Sequence, residues 1–327
     1  MTTTLPDGID TFLAQAGWDS CVIEPLTGDA SFRRYFRIRD TEGGRTAMLM
    51  DAPPPQEDIG PFLHVGRWLT DNGLRAPTIH AEDGSHGFIL LEDFGDTRMR
   101  DHLDVVPDDE EAAYREAIDA LVRLGKLPPG PFAPYDMATY QREAGLLTEW
   151  YCPAAGIAVD MPGYTAAWDE ALAPLIARQS KGVTVLRDYH AENIMLLADG
   201  SQGLIDFQDA LVGHPAYDLV SLLQDARRDV APELERAMLD YYVSQTDVDP
   251  DFEADYARLG AQRNAKIVGI FARLWKRDGK PRYLGMIPRV WDALERDLAH
   301  PALAPVAAWF DANIPSDVRA RRGGGLG

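Results

Sequence analysis

The chain has 327 residues, 46% of them hydrophobic, and a formal net charge of -20 from 32 Lys and Arg against 52 Asp and Glu. That length and apolar fraction predict two domains, or one large two-lobed domain. A surface this acidic repels phosphate backbones and anionic lipids, which argues against nucleic acid and membrane partners and leaves the substrate class open.

The opening MTTTLPDGID has neither a basic start nor an apolar core, so no signal peptide is expected. The first ninety or so residues read as strand-rich. SFRRYFRIRD alternates Phe32, Tyr35/Phe36 and Ile38 among arginines, TAMLMDAPPP is an apolar run stopped by prolines, and GFILLEDFGD is another that ends in acids and glycine. Short apolar runs bounded by Gly and Pro suit strands. Between the last two, IGPFLHVGRWLTDNG places Ile59, Phe62, Leu63, Gly66 and Leu69 at helical spacing, with Gly73 as a stop. Beyond Thr97 helices take over. PDDEEAAYREAIDALVRLGKL crowds acids into its first turn and puts Ile118, Leu121, Val122 and Leu124 on one face. DMATYQREAGLLTEWYCPAAG, WDEALAPLIARQS (interrupted by Pro174), YDLVSLLQDARR, PELERAMLDYYVSQ and RNAKIVGIFARLWKRDG also read as helices. The layout predicts an α+β chain: a small strand-rich N-lobe over 1–93, a connector near Leu91–Asp96, a larger mainly helical C-lobe over 94–318 holding one hairpin, and a disordered tail over 319–327. No apolar run approaches the roughly 18 residues of a membrane span. Cys21 and Cys152 stand far apart and outside any CxxC, which fits a reducing, cytoplasmic setting.

The hairpin carries the chemistry. In VLRDYHAENIMLLADGSQGLIDFQDA, VTVL is a strand signal running into Arg187, and NIMLL and GLIDF are two short strands around the ADGS turn. Asn193 and Asp206 have their midpoint between Asp199 and Gly200, so they are expected to face each other at the open end of the hairpin. Two oxygen-bearing side chains there form a partial site for a hard cation such as Mg²⁺, which also takes substrate phosphates. Asp188 lies on the loop entering that place, where it can accept a hydroxyl proton. An Asp, an Asn five positions on and a second Asp are the spacing of kinase-type phosphoryl transfer. His190 is read as a residue that pins the loop, with a competing role as base.

On these residues the chain resembles the aminoglycoside phosphotransferase and choline kinase superfamily, whose signature reads H-G-D-x-H-x-x-N, then I-D-[WF], then D-P-x-x-D-L-A. Asp188, His190, Asn193, Asp206 and Asp218 fall on those positions. Leu186 and Arg187 stand where His and Gly are usual, and His214 stands where Asp is usual. LTGDASFRRYFRI, LMDAPP, LLEDFGD, LTEWY and GIFARLWKRDGKPRYLGMIPR extend the resemblance to the anomeric N-acetylmuramate/N-acetylglucosamine kinases of bacterial cell-wall recycling. The resemblance implies a two-lobed protein-kinase-like fold, ATP and Mg²⁺ as cofactors, a small amino sugar as substrate, and no obligate protein partner.

It also implies roles residue by residue. Gly28, Asp29, Ala30 and Ser31 would form the nucleotide loop, where backbone N–H groups make an anion nest. In LLEDF the backbone at Glu92 and nearby would read the adenine edge. Asn193 and Asp206 would hold metal, and Asp188 would act on the acceptor hydroxyl. The kinase strand lysine is missing from TAMLMDAPP. Arg33 or Arg34 would replace it, one of them pointing at the phosphates because successive strand residues alternate in direction. Otherwise the lobe binds no nucleotide. Glu143, Glu149, Trp150, His190 and Asp209 are candidates for the sugar pocket. Arg263, Lys266, Arg273, Lys276, Arg277 and Lys280 either meet an N-acetylmuramate carboxylate or balance neighbouring acids. The rival readings are a kinase of another small alcohol or an aminoglycoside, a non-catalytic nucleotide-binding regulator, and a metal-dependent hydrolase.

Overall fold

The computed structural model describes residues 4–26, 32–179 and 182–326. The chain divides into two compact units, Met1–His102 with Asn193–Asp209, and Leu103–Glu192 with Ala210–Gly327.

The first unit opens with α1 (Ile9–Gln15) and β1 (Cys21–Pro25), followed by β2 (Arg34–Asp40), β3 (Thr46–Asp51), α2 (Gly60–Asp71), β4 (Ile79–Asp83) and β5 (Phe88–Glu92). The five strands form one antiparallel sheet in the order β1-β2-β3-β5-β4. The alternation in FRRYFRIRD sorts its two faces. Phe36 and Ile38 join Ala47, Leu49, Phe88 and Leu90 in a core with Ile9, Phe12 and Leu13 of α1. Tyr35, Arg37 and Arg39 therefore lie on the opposite face. Gly87 closes the β4–β5 turn at φ +77, and a Cβ there would stand 2.0 Å from the Ala52 carbonyl oxygen, so only glycine fits.

The unit extends past the expected boundary at 93 and takes in the hairpin expected in the larger lobe. The backbone N–H of Leu196 donates to Thr97 O at 2.8 Å and that of Leu204 to Arg75 O at 2.7 Å. Phe207 packs at a tilt on Phe62 of α2, with ring centroids 4.9 Å apart.

In chain order the second unit comprises α3 (Met99–Val105, which starts in the first unit), α4 (Glu110–Lys126), α5 (Met137–Ala144), a π-helical turn (Leu147–Tyr151), α6 (Cys152–Ala154), α7 (Met161–Arg178) and β6 (Val183–Val185). The hairpin strands β7 (Ile194–Leu196) and β8 (Gln202–Leu204) belong to the first unit. After them come β9 (Leu211–Gly213), α8 (Ala216–Leu223), α9 (Pro232–Gln245), α10 (Phe252–Lys276), α11 (Ile287–Leu298), α12 (Ala304–Asn313) and α13 (Ser316–Ala320). α10 is the axis of this unit and packs on α5, α8 and α11. Its Gly269 lies so close to Leu146 that a Cβ would stand 2.2 Å from that residue's carbonyl carbon. The helix expected over 136–156 is accordingly three pieces, with the π turn just after this contact. α7 continues through Pro174 where an interruption was expected. Among the described residues no helix is long and apolar enough to cross a membrane.

The tail expected to be disordered is ordered through Leu326. Arg319 donates to both carboxylate oxygens of Glu295, with Nε–Oε1 2.8 Å, and Arg322 Nε meets Asp292 at 2.7 Å. The Tyr151 hydroxyl donates to Gly323 O at 2.8 Å, and a Cβ on Gly323 would run into the Trp291 ring. Pattern reading of RARRGGGLG sees flexible composition and has no access to the acids waiting on α11. Deleting 316–327 strands a buried hydroxyl, an effect of about 1–3 kcal/mol. We expect the melting temperature to fall by several degrees; an unchanged melting curve would restore the disordered-tail expectation.

Candidate active site

In the second unit the segment LRDYHAE is a loop between β6 and a short 3₁₀ turn, and its shape is imposed from below. Asp218, on the first turn of α8 and 3% exposed, accepts the N–H of Leu186 at 2.6 Å and of Arg187 at 2.8 Å. Ser221 donates its hydroxyl to Arg187 O at 3.1 Å. Arg187 sits at φ +71, where glycine is the ordinary occupant. Asp188 follows, half-buried, its N–H turned back onto Leu186 O at 2.9 Å. Tyr189 anchors the loop to α4 through its hydroxyl, which donates to Ala117 O at 2.7 Å. His214, in place of the usual Asp, still caps α8: its Nδ1 accepts the Ala216 N–H at 3.2 Å, and its Nε2 faces Asp255 at 3.4 Å.

Burial raises the Asp218 carboxyl to about 7, the charge of Asp188 adds to this, and the two backbone N–H groups oppose it. From an ordinary value near 3.8, the folded chain therefore holds a proton between about pH 4 and 7 that the unfolded chain has lost. That contribution to stability is complete below pH 4 and gone above 7, so stability falls as pH rises through the window. Asp297, also raised by burial, acts in the same direction. Asp218→Asn should flatten, without abolishing, the slope of unfolding free energy against pH from 4 to 7 in urea titrations. An unaltered slope would show that Asp218 is ionised throughout.

His190 does not serve the hydroxyl chemistry considered for it. It is 3% exposed, and Arg227 Nη1 donates to its Nε2 at 2.9 Å. Arginine has no acceptor, so this lone pair is committed. Arg227 also pairs with Glu192 at 2.9 Å, and the histidine is a loop anchor. Glu143 likewise departs from the expectation of a sugar contact. It is buried among Arg187, Lys266 (3.1 Å) and the Tyr135 hydroxyl. Burial opposes its ionisation, but Lys266 and Arg187 prevail and hold the carboxyl below its ordinary value. Glu149 is exposed and Trp150 half-buried, both on the π turn. The basic residues near the C-terminus have separate partners: Lys266 has Glu143, Arg277 has Asp278, and Lys276 lies over the Trp275 ring at 3.8 Å.

In the first unit the hairpin brings Asn193 and Asp206 together, one residue away from the expected register. Ile194 pairs with Leu204, and Ile205 N–H donates to Asn193 O at 3.1 Å, so Asn193 stands opposite Ile205. Asp206 comes one residue later at φ +60, and this turn swings its carboxylate back until Oδ2 accepts from Asn193 Nδ2 at 3.3 Å. Gln208 Nε2 donates to the other oxygen at 2.9 Å. The ring of Phe207 holds the position: a methyl on Gly66 of α2 would be 3.3 Å from it. Asp209 is exposed.

The cations on β2 sort by face. Arg34 lies on the α1 side, bound to Asp51 (Nε–Oδ2 2.7 Å) and to Thr4 O, and so does not share the face of Tyr35. Arg33 pairs with Glu57 at 3.1 Å and bonds Tyr35. Arg37, which pattern reading passed over, is 6% exposed and clamps the connector through Asp93 (2.8 Å) and both oxygens of Asp96 (2.8 Å). Glu92 does not offer its N–H to a base, because that group donates to Thr78 O at 2.8 Å. Its side chain is held by Arg75 and Thr78; the Arg75 fork is the largest influence lowering its carboxyl to about 2. The expected nucleotide loop at Gly28, Asp29, Ala30 and Ser31 lies outside the described residues.

A family model described as the phosphotransferase enzyme family matches residues 22–259. The N-acetylmuramate/N-acetylglucosamine kinase of Caulobacter vibrioides is 37% identical, with 94% of this chain and 96% of the relative covered. The kinase of the same name from Pseudomonas aeruginosa is 38% identical, with 95% and 94% covered. Among solved structures, choline kinase LicA from Streptococcus pneumoniae superposes with a TM-score of 0.64 at 14% identity, covering 90% of this chain and 97% of that one. The ADP-bound aminoglycoside phosphotransferase APH(2'')-Ib gives 0.62 at 16% identity, covering 89% and 97%. At those identities the structural likeness concerns the fold.

Proposed function

The chain belongs to the phosphotransferase enzyme family, and from that premise we propose that it is an ATP-dependent sugar kinase of cytoplasmic cell-wall recycling, phosphorylating the anomeric hydroxyl of N-acetylmuramate and N-acetylglucosamine. The observation that carries the reading is the likeness to two kinases of those sugars at 37% and 38% identity over nearly the whole of both chains. The loop geometry supports it. Asp188 is the acceptor-side carboxylate: it orients the sugar hydroxyl and takes its proton late in a loose transition state. Asp218 and Ser221 keep Leu186 and Arg187 in the backbone shape that presents Asp188. An anomeric hydroxyl is more acidic than other sugar hydroxyls, so a carboxylate suffices as base.

The donor set of Asn193 and Asp206 fits a magnesium ion. Both side chains carry oxygen, they meet at 3.3 Å, and turning the Asn193 amide brings a second oxygen toward the carboxylate. A hard cation of this kind takes few protein oxygens and is completed by substrate phosphates. Magnesium, when bound, offsets the negative charge of the terminal phosphates. Trp150, Glu149 and Asp209 remain the proposed sugar contacts.

The test is incubation with Mg·ATP and a panel of sugars, following ADP and product mass. Sugar-dependent ADP with the two N-acetyl sugars is expected. ADP released without sugar, or nucleotide binding without turnover, would contradict the proposal.

A further inference from the structure

Kinase-type phosphoryl transfer uses a strand cation, itself oriented by an acid near the following helix, to grip the terminal phosphates. β3 here is TAMLMD and carries no cation. The described arginines of the sheet narrow the replacement. Arg34 faces the α1 core and binds Asp51, which is 1% exposed. Arg37 is consumed by Asp93 and Asp96. Arg39 pairs with Glu24 on the outer strand, and Arg75 with Glu92.

Arg33 has a different setting. It bonds Tyr35 on the sheet face opposite the α1 core, and its partner Glu57 leads into α2, whose Phe62 and Gly66 pack on Phe207, the residue after Asp206. The side chains of Arg33 and Glu57 are largely covered, at 15% and 17% exposed. The contact is made on the guanidinium Nε edge. A covered guanidinium, held by an acid and a phenol, is pre-ordered for a planar, bidentate phosphate contact.

We infer that Arg33 is the cation that binds the terminal phosphates of the nucleotide, and that Glu57 is the residue that positions it. The pair supplies from β2 and the β3–α2 segment what a strand lysine and helix glutamate supply elsewhere. The inference rests on the kinase reading above.

The test is titration calorimetry of the full chain with Mg·ATP and, separately, with AMP, which lacks the terminal phosphates. Arg33→Ala should weaken Mg·ATP by about 10- to 100-fold, the range for losing a bidentate charge-assisted contact, and leave AMP within about twofold. Arg33→Lys should recover part of the loss. Glu57→Gln keeps the cation but loosens it, and should weaken Mg·ATP by a smaller factor with AMP again unchanged. Arg39→Ala, an exposed cation on the same strand face, controls for net charge and should bind both ligands normally. Equal losses for ATP and AMP, or no loss for either, would overturn the assignment while wild-type turnover keeps the kinase reading. A wild-type chain without sugar-dependent ADP formation would overturn both.

Discussion

Asp188→Asn should reduce sugar phosphorylation by at least about 10²-fold, the ordinary contribution of a positioned acid–base group, while Mg·ATP affinity stays near the wild-type value. The two halves of that expectation come from different parts of the chain. Asp188 sits on a loop whose shape is set by Asp218, Ser221 and Tyr189, and Asn fits the same space. Asp206 occupies the positive-φ position after β8 and meets Asn193. Asp206→Asn should therefore weaken Mg·ATP itself, with the loss growing as magnesium is lowered. Binding curves and single-turnover rates on both variants separate the roles. Equal nucleotide losses in the two would show that the division between acceptor and metal carboxylates is wrong.

Gly269→Ala should destabilise the protein by about 3 kcal/mol, in the range of overpacked core substitutions, and lower the melting temperature by roughly 5–10 °C. Helix propensity alone forecasts the reverse, because Ala is about 1 kcal/mol better than Gly inside a helix. The close approach decides the sign. A Cβ at this position lies 2.2 Å from the Leu146 carbonyl carbon and 2.4 Å from its oxygen, and backbone cannot swing aside as a long side chain can. α10 would have to separate from the π turn that carries Glu149 and Trp150. Loss of apparent sugar affinity should accompany the melting shift. A stabilised Gly269→Ala protein would mean that the two segments are farther apart than the structure has them.

Local pattern carried the architecture a long way. The alternation in SFRRYFRIRD and the apolar runs of TAMLMD and GFILLE are strands of one sheet, and the hairpin around Asp199–Gly200 forms. Spacing alone also brought Asn193 and Asp206 together. The register was off by one residue because the hairpin pairs Ile194 with Leu204 and so centres on Asp199, and the positive φ of Asp206, which no strand periodicity encodes, returns the side chain to its partner. The misreadings share a cause in contacts distant along the chain. Glu143 was a candidate for the sugar pocket, but Lys266 and Arg187 close on it, and the competing role of His190 as base meets Arg227 at its Nε2. Arg37 was one arginine among several in FRRYFRIR, and only the return of Asp93 and Asp96 to β2 marks it as the clamp. Alternation sets Arg33 and Arg34 on opposite faces and puts Arg33 with Tyr35, but which of the two faces α1 covers is decided by packing.

The measurement that bears most directly on the proposed activity is the chemistry of the product made from N-acetylglucosamine and Mg·ATP. A phosphate on the anomeric oxygen locks the ring, so the account predicts a sugar phosphate that no longer reduces copper and that releases phosphate in mild acid, with N-acetylmuramate giving a product of the same behaviour. A reducing, acid-stable sugar phosphate would place the transfer on another hydroxyl and contradict the assignment, even with the kinase fold intact.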